Sequence, residues 1–133
     1  MAQLACAVPF RRRGGRTEFL LVTPTGETAW RFPSAEFADA AGEDDQNCAL
    51  VGDEIGLRGA LDGEPLGQFE VARGERADVV VAYLLEVADD ESGACPHLRT
   101  RWCLPEEARI RIRRKPLRRL VDLAVHRLQL SAI

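Results

Sequence analysis

Histidine is scarce in this chain: His97 and His126 are the only two in 133 residues. No Ser-His-Asp or Cys-His nucleophilic site is therefore expected, and His126, beside Val125, reads as a boundary residue. Long apolar runs are missing too, and nothing approaches the roughly 20 residues that cross a bilayer. The N-terminus, MAQLACAVPFRRR, places its positive charges after the apolar run, the reverse of a secretory signal. A cytoplasmic protein without a membrane partner is expected. The four cysteines (Cys6, Cys48, Cys95, Cys103) follow no zinc framework; the nearest approach, CPHLRTRWC with His97 inside it, lacks a second CxxC-type pair. They read as reduced thiols. Repeats, low-complexity tracts and linkers are also missing, so residues 1–133 are expected to form a single domain able to bury most of its apolar surface.

What is present is an ordered composition with segregated charge. Hydrophobic residues make up 46%, which separates the chain from disordered sequences. The net charge of -3 combines an acidic middle, residues 32–96, with basic segments on either side. The plain reading is that the basic ends pack beside the acidic middle or are solvated. No nucleic-acid motif accompanies them, and no nucleic-acid partner is expected.

Hydrophobic period sets the elements. LACAVPF and TEFLLVTP, separated by RRRGGR, read as a hairpin. Residues 29–32 read as a brief extended piece ended by Pro33, followed by a loop rich in Ala, Asp and Glu. From Asp45 the pattern turns helical: Asp44 and Asp45 suit the N-terminal end, Cys48, Leu50, Val51 and Ile55 supply an apolar face, and Gly56 is the stop. Gly52 inside it costs about 1 kcal/mol against Ala. LRGALDGEPLG reads as a pair of turns with a short strand, followed by QFEVA and, after a loop, by ADVVVAYLLEVA as a strand central to a sheet, DDESG as a loop and LRTRWCL as another strand. Pro105 is well placed at the first position of a short helix. In the last segment Leu117, Leu120, Val121, Ala124, Val125 and Leu128 line one face of a helix. Strands interleaved with helices in this order imply a mixed sheet covered by helices, with Trp102 and Phe69 in its core.

Five stretches are more specific: WRFP, the acidic loop with GE, a helix ending DEIGL, the AYLLEV strand, and RWCLPEEA followed by an amphipathic helix. In that order, over nearly the whole chain, they resemble the Nudix hydrolase family. The resemblance implies a Nudix-type α/β/α sandwich, with a mixed β-sheet between helices. It also implies a loop-helix-loop that in active members binds Mg2+ or Mn2+ and a nucleoside diphosphate-linked substrate.

The family signature is GX5EX7REUXEEXGU, where U is a bulky apolar residue. Aligned on Gly56 and Leu57, Asp53 and Glu54 match the paired acids and Val51 the preceding apolar position. Ala35, Ala41, Ala49 and Leu50 stand where the family has Gly, Glu, Arg and Glu. Aligned instead on Gly42 and Glu43, the helix lacks the Arg-Glu step altogether. Either way one carboxylate is gone.

A helix presents two carboxylates to one hard cation when they are three or four residues apart. Leu50 occupies that position relative to both Asp53 and Glu54, while Glu43 lies about 16 Å up a straight helix. The lost arginine also removes charge-assisted support for the acids. The expected protein is thus a Nudix-like domain with a degenerate box, impaired in catalysis and serving as a binding or regulatory module, for a nucleotide or another phosphate-bearing ligand or for a protein partner. In this reading Asp53 and Glu54 are vestigial metal positions. The alternative is a metal-dependent pyrophosphohydrolase in which Glu54 is catalytic and Asp53 and Glu54 bind metal with help from Glu43, Glu75, Asp78 or Glu91. For a phosphate-bearing ligand, Arg11, Arg12, Arg13 and Arg16 near the hairpin and Arg31 offer guanidinium forks, and Trp30 an aromatic platform. Arg13, Trp30 and Arg31 are the chosen candidates; a solvated turn and a core or rim tryptophan are the plain alternatives.

Overall fold

The computed structural model describes residues 3–37 and 43–131. Ala41 and Gly42, which enter the motif alignments, lie outside them. Among the described residues the elements are β1 (Gln3–Arg13), β2 (Arg16–Pro24), β3 (Ser34–Phe37), α1 (Asp44–Glu54), β4 (Leu57–Leu61), β5 (Gly67–Arg73), β6 (Arg76–Asp90), β7 (Leu98–Cys103), α2 (Pro105–Arg111) and α3 (Lys115–Ser131). The strands form one sheet in the order β4-β6-β1-β2-β7, with β3 also beside β1 and β5 beside β6. β1 and β6 run parallel from Gln3↔Val79 to Phe10↔Glu86, and the other pairings are antiparallel.

Period-two alternation gives the sheet two apolar faces. Ala5, Ala7, Val81 and Tyr83 pack with Cys48 and Val51 of α1, and Leu20, Val22, Leu57 and Leu85 extend that layer. Cys6, Val8, Val80, Ala82 and Leu84 face the other way, onto Ala108, Ile112, Leu120, Val121, Ala124 and Leu128. Each fully buried leucine of this kind contributes roughly 1.5–3 kcal/mol relative to an exposed one. The α/β/α sandwich and the mixed sheet expected from the sequence are both present.

Two glycines set the path out of α1. Gly56 has φ +88°, a left-handed turn, and a Cβ on it would lie 3.0 Å from the Glu91 backbone. Gly59 sits where the β4–β6 register shifts, and its Cβ would fall 1.8 Å from the Glu86 carbonyl oxygen. Gly52 lies against Leu85, whose Cδ2 would be 2.7 Å from an added Cβ.

Four expectations change, the first being Leu50, expected on the apolar face of α1 and found 50% exposed on its outer side. Residues 29–32 hold only an isolated bridge between Val22 and Arg31, and the strand lies after Pro33, in the segment read as a loop. Pro33 has no N–H to donate, yet its carbonyl accepts the Ala7 N–H at 3.0 Å and leads into β3, which pairs from Ser34↔Cys6 to Phe37↔Gln3. Four residues with two apolar positions are too short for their period to be read. DDESG is not wholly a loop, because Asp89 and Asp90 still pair with Arg58 and Leu57 of β4. Trp102 is half-buried rather than core: its indole N–H donates to Asp90 Oδ2 at 2.8 Å, which holds that edge of the ring at the surface. Phe69 is partly buried against the main cluster.

Candidate functional site

The helix that carries the motif turns Asn47, Cys48, Val51 and Gly52 inward, leaving Asp53 and Glu54 exposed. Adjacent helical residues diverge by about 100° at 3.6 residues per turn. Asp53 accordingly borders a shallow depression of about 600 Å³ with Gln46, Ala49, Leu50 and Arg58, and Glu54 does not. Leu50, 50% exposed, stands where a second carboxylate would serve the same ion.

The other acids do not replace it. Glu43 is the N-cap residue at the far end of α1. Asp78 is fully buried, and it shares the strand face of Val80 and Ala82, turned away from α1. Glu75 is exposed in the turn between β5 and β6. Glu91 comes nearest, since its N–H bonds the Gly56 carbonyl at 2.9 Å. Even so, no group of three His, Cys, Asp or Glu residues among those described forms a metal-binding cluster. Among the described residues Asp53 is the one carboxylate at the depression, and a hard divalent ion there would take its remaining oxygen ligands from water or a phosphate. In the CPHLRTRWC segment Cys103 is buried and His97 exposed.

The hairpin arginines have separate fates. Arg11 Nε donates to Glu18 Oε1 at 2.8 Å, and its guanidinium lies 4.1 Å from the centre of the Trp102 ring. It is a structural residue. Arg12, Arg13 and Arg16 are exposed, with Arg13 paired in register to Arg16 at the hairpin end. Arg13 does not join Trp30 and Arg31, which lie at the level of Val22, several residues along the sheet.

Trp30 and Arg31 open instead onto a cleft of about 410 Å³. Its floor is Cys6, Phe32, Val80 and Leu117; its cationic walls are Arg31, Arg113 and Arg114, and no carboxylate lines it. The segment is well held: Arg31 exchanges both backbone hydrogen bonds with Val22, at 2.8 and 3.0 Å, and Arg99 Nη2 donates to the Glu27 carbonyl at 2.7 Å. Guanidinium groups of Arg99 and Arg111 lie 5.5 and 5.9 Å from the Trp30 ring centre. Their cations already engage the ring, so Trp30 supplies a charged, rigid wall more than an open platform. Cys6 in the floor is no nucleophile, because burial pushes its thiol far above the usual range. Arg113 and Arg114 were not singled out in sequence, where RIRRK is one more run of charge. The signal available was position, between the end of one helix and the apolar series of the next.

The two candidate regions lie on opposite faces of the sheet. The cleft belongs to the face of Cys6, Val80 and α3, and Asp53 and Glu54 belong to the helix that covers the face of Ala5, Ala7 and Val81.

No family profile matches the sequence, and no curated protein is significantly similar to it. Solved structures do resemble it. An Ap4A hydrolase binary complex from C. elegans is 17% identical at a TM-score of 0.73, over 97% of this chain and 98% of that one. The NUDIX domain of Shewanella oneidensis NrtR complexed with ADP ribose is 14% identical at 0.72, over 95% and 87%. A mutT/nudix family protein from Listeria innocua is 14% identical at 0.72, over 98% and 95%. The chain thus folds as a Nudix-like domain. Among the described residues no helix is long and apolar enough to cross a membrane.

Proposed function

We propose that this Nudix-fold chain is a binding or regulatory module for a phosphate-bearing ligand of the nucleotide class, without metal-dependent hydrolysis. The observation that carries it is the separation of the two regions. A ligand gripped by Arg31, Arg113 and Arg114 sits across the sheet from Asp53 and Glu54, whose carboxylates have Leu50 in place of their partner. Guanidinium forks recognise phosphate oxygens bidentately, and the apolar floor accepts a sugar or base. A volume of about 410 Å³ is in the ordinary range for small-molecule sites. Structural neighbours captured with ADP ribose, or named as an Ap4A hydrolase, support the ligand class.

The test is thermal denaturation and calorimetry with ADP-ribose, ATP and a dinucleoside tetraphosphate, with and without Mg2+ or Mn2+, while release of phosphate and mononucleotide is followed. Stabilisation by at least one ligand without metal is expected, about 2.7 kcal/mol at a hundred times its Kd, with no turnover. Replacing both Arg113→Ala and Arg114→Ala is expected to weaken binding tenfold or more, since each charge-assisted bond contributes roughly 1.5–3 kcal/mol. Asp53, facing its own depression beside Arg58, favours the second reading, a pyrophosphohydrolase. Metal-dependent turnover abolished by Glu54→Gln would establish that reading and overturn the first.

A further inference from the structure

Among the described residues the arginines differ in their partners: Arg12, Arg13, Arg16 and Arg58 are exposed and pair with no carboxylate, and Arg99 donates to the Glu27 carbonyl. Arg11, Arg76, Arg101, Arg109, Arg111 and Arg127 each pair with a carboxylate. The cations around the start of α3 behave otherwise. Arg31, Arg113, Arg114, Lys115, Arg118 and Arg119 are all exposed, and none pairs with a carboxylate among the described residues. Glu70 borders the depression that Lys115 and Arg119 share, and pairs with neither. Of the basic C-terminal segment, expected to pack beside the acidic middle or be solvated, Arg127 pairs with Asp62 of the middle, while Arg113, Arg114, Lys115, Arg118 and Arg119 are exposed.

This arrangement is unfavourable for the helix that bears it. The first turn of α3 contains no acid, although the positive end of the helix dipole favours one. Arg114 and Arg118, and Lys115 and Arg119, are like charges four residues apart, a spacing that repels. Such violations of a local rule concentrate where a surface serves a ligand. On a straight helix Lys115 and Arg119 are about 6 Å apart along the axis, a separation close to the spacing of successive phosphates in an extended strand. The row also begins at the cleft, which Arg113, Arg114 and Leu117 line.

We infer that the cations from Arg113 to Arg119 form a track for a phosphodiester strand, so that the ligand of the cleft is the terminal nucleotide of a single-stranded nucleic acid. This deepens the proposed function and rests on the cleft being its site. A cleft sized for one nucleotide fits an unstacked end rather than a duplex, and backbone contacts of this kind are largely independent of sequence. Arginine dominates the track, with Lys115 the single lysine of the chain, and its planar fork recognises phosphate oxygens bidentately.

The experiment uses the full chain and a fluorescent 12-residue oligo-dT, with the matching oligo-U, in anisotropy titrations from 50 to 200 mM salt. The triple variant K115E/R118E/R119E is compared with the unaltered protein. Acids in the first turn suit the helix dipole and offset the like-charge repulsion that positions 115 and 119, and 118 and Asp122, then carry, so its melting temperature is expected to hold. Expected are oligonucleotide binding that weakens steeply with salt, a loss of at least tenfold in the triple variant, and ADP-ribose binding within twofold of the original. Absence of oligonucleotide binding at 50 mM salt, or equal binding by the variant, would overturn the track and leave the cleft reading standing. So would competition by polyglutamate of equal charge as effective as unlabelled oligonucleotide, or binding confined to phosphatidylserine vesicles. Loss of ADP-ribose binding in R113A/R114A with oligonucleotide binding retained would overturn the link between track and cleft.

Discussion

Asp90, the last residue of β6, ties Ser92 and Trp102 of β7 together through one carboxylate. It accepts the Ser92 N–H at 2.8 Å, the Ser92 hydroxyl, and the Trp102 indole N–H at 2.8 Å. Partial burial pushes its pKa up, but the Ser92 bonds, the Trp102 bond and the nearby Arg11 charge outweigh it and hold the carboxyl below its usual value. A carboxylate depressed in this way stabilises the fold above its unfolded pKa of about 3.9, and the contribution is lost as pH falls through the depressed value. Ser92→Ala is therefore expected to raise the Asp90 pKa and move the onset of acid unfolding to higher pH. Carbon-detected titration of the carboxyl and circular dichroism between pH 2 and 6 read the two effects; an unmoved titration would show that the Ser92 bonds do not set it. Glu107 is likewise lowered, chiefly by the Arg111 hydrogen bond one turn away.

At the scale of the element, α1 isolates what its sequence lost. Ala49 and Leu50 are both exposed, so A49R/L50E restores the missing Arg-Glu step without disturbing the core. It places a carboxylate three residues before Asp53 and four before Glu54, the spacing a shared ion needs. Calorimetry is expected to show Mn2+ binding by the variant at least tenfold tighter than by the original chain. Equal binding would mean that the donor set at this helix is not limited by residue 50. Here the sequence was a good guide to α3, whose apolar series from Leu117 to Leu128 rests on helical period alone, and a poorer one to α1, where Leu50 was expected on the apolar face and stands 50% exposed. β3 was not legible, since its place depends on the Pro33 carbonyl reaching Ala7. The cleft was half legible. Trp30 and Arg31 are a visible pair, but Arg113 and Arg114 meet them only through the packing of α3 on the sheet, which no local pattern encodes.

For the whole molecule, the sheet centre should govern stability. β6 has neighbours on both sides, with β4 and β5 on one and β1 on the other, and the residues it shares with β1, from Cys6↔Ala82 to Val8↔Leu84, are buried on both faces. Their amides are expected to exchange hydrogen only on global unfolding, while those of β4 exchange by local opening. Hydrogen exchange by NMR across a denaturant series checks this; β4 amides as slow as those of Ala82 and Leu84 would contradict it. The pairing of distant segments was also the least legible property of the sequence, because a central strand can be recognised by its apolar run while its partners cannot.

The parallel ladder has one more consequence, for the chain as it is made. Gln3 meets Val79 and Phe10 meets Glu86, so the sheet closes only by bringing together segments about 75 residues apart, with a loop-entropy cost that precedes its reward. A ribosome that has delivered only the β1–β2 hairpin has exposed an apolar ribbon whose main neighbour does not yet exist. The nascent chain must wait for β6 with that edge open, the interval in which chaperone capture or edge-to-edge association competes with folding.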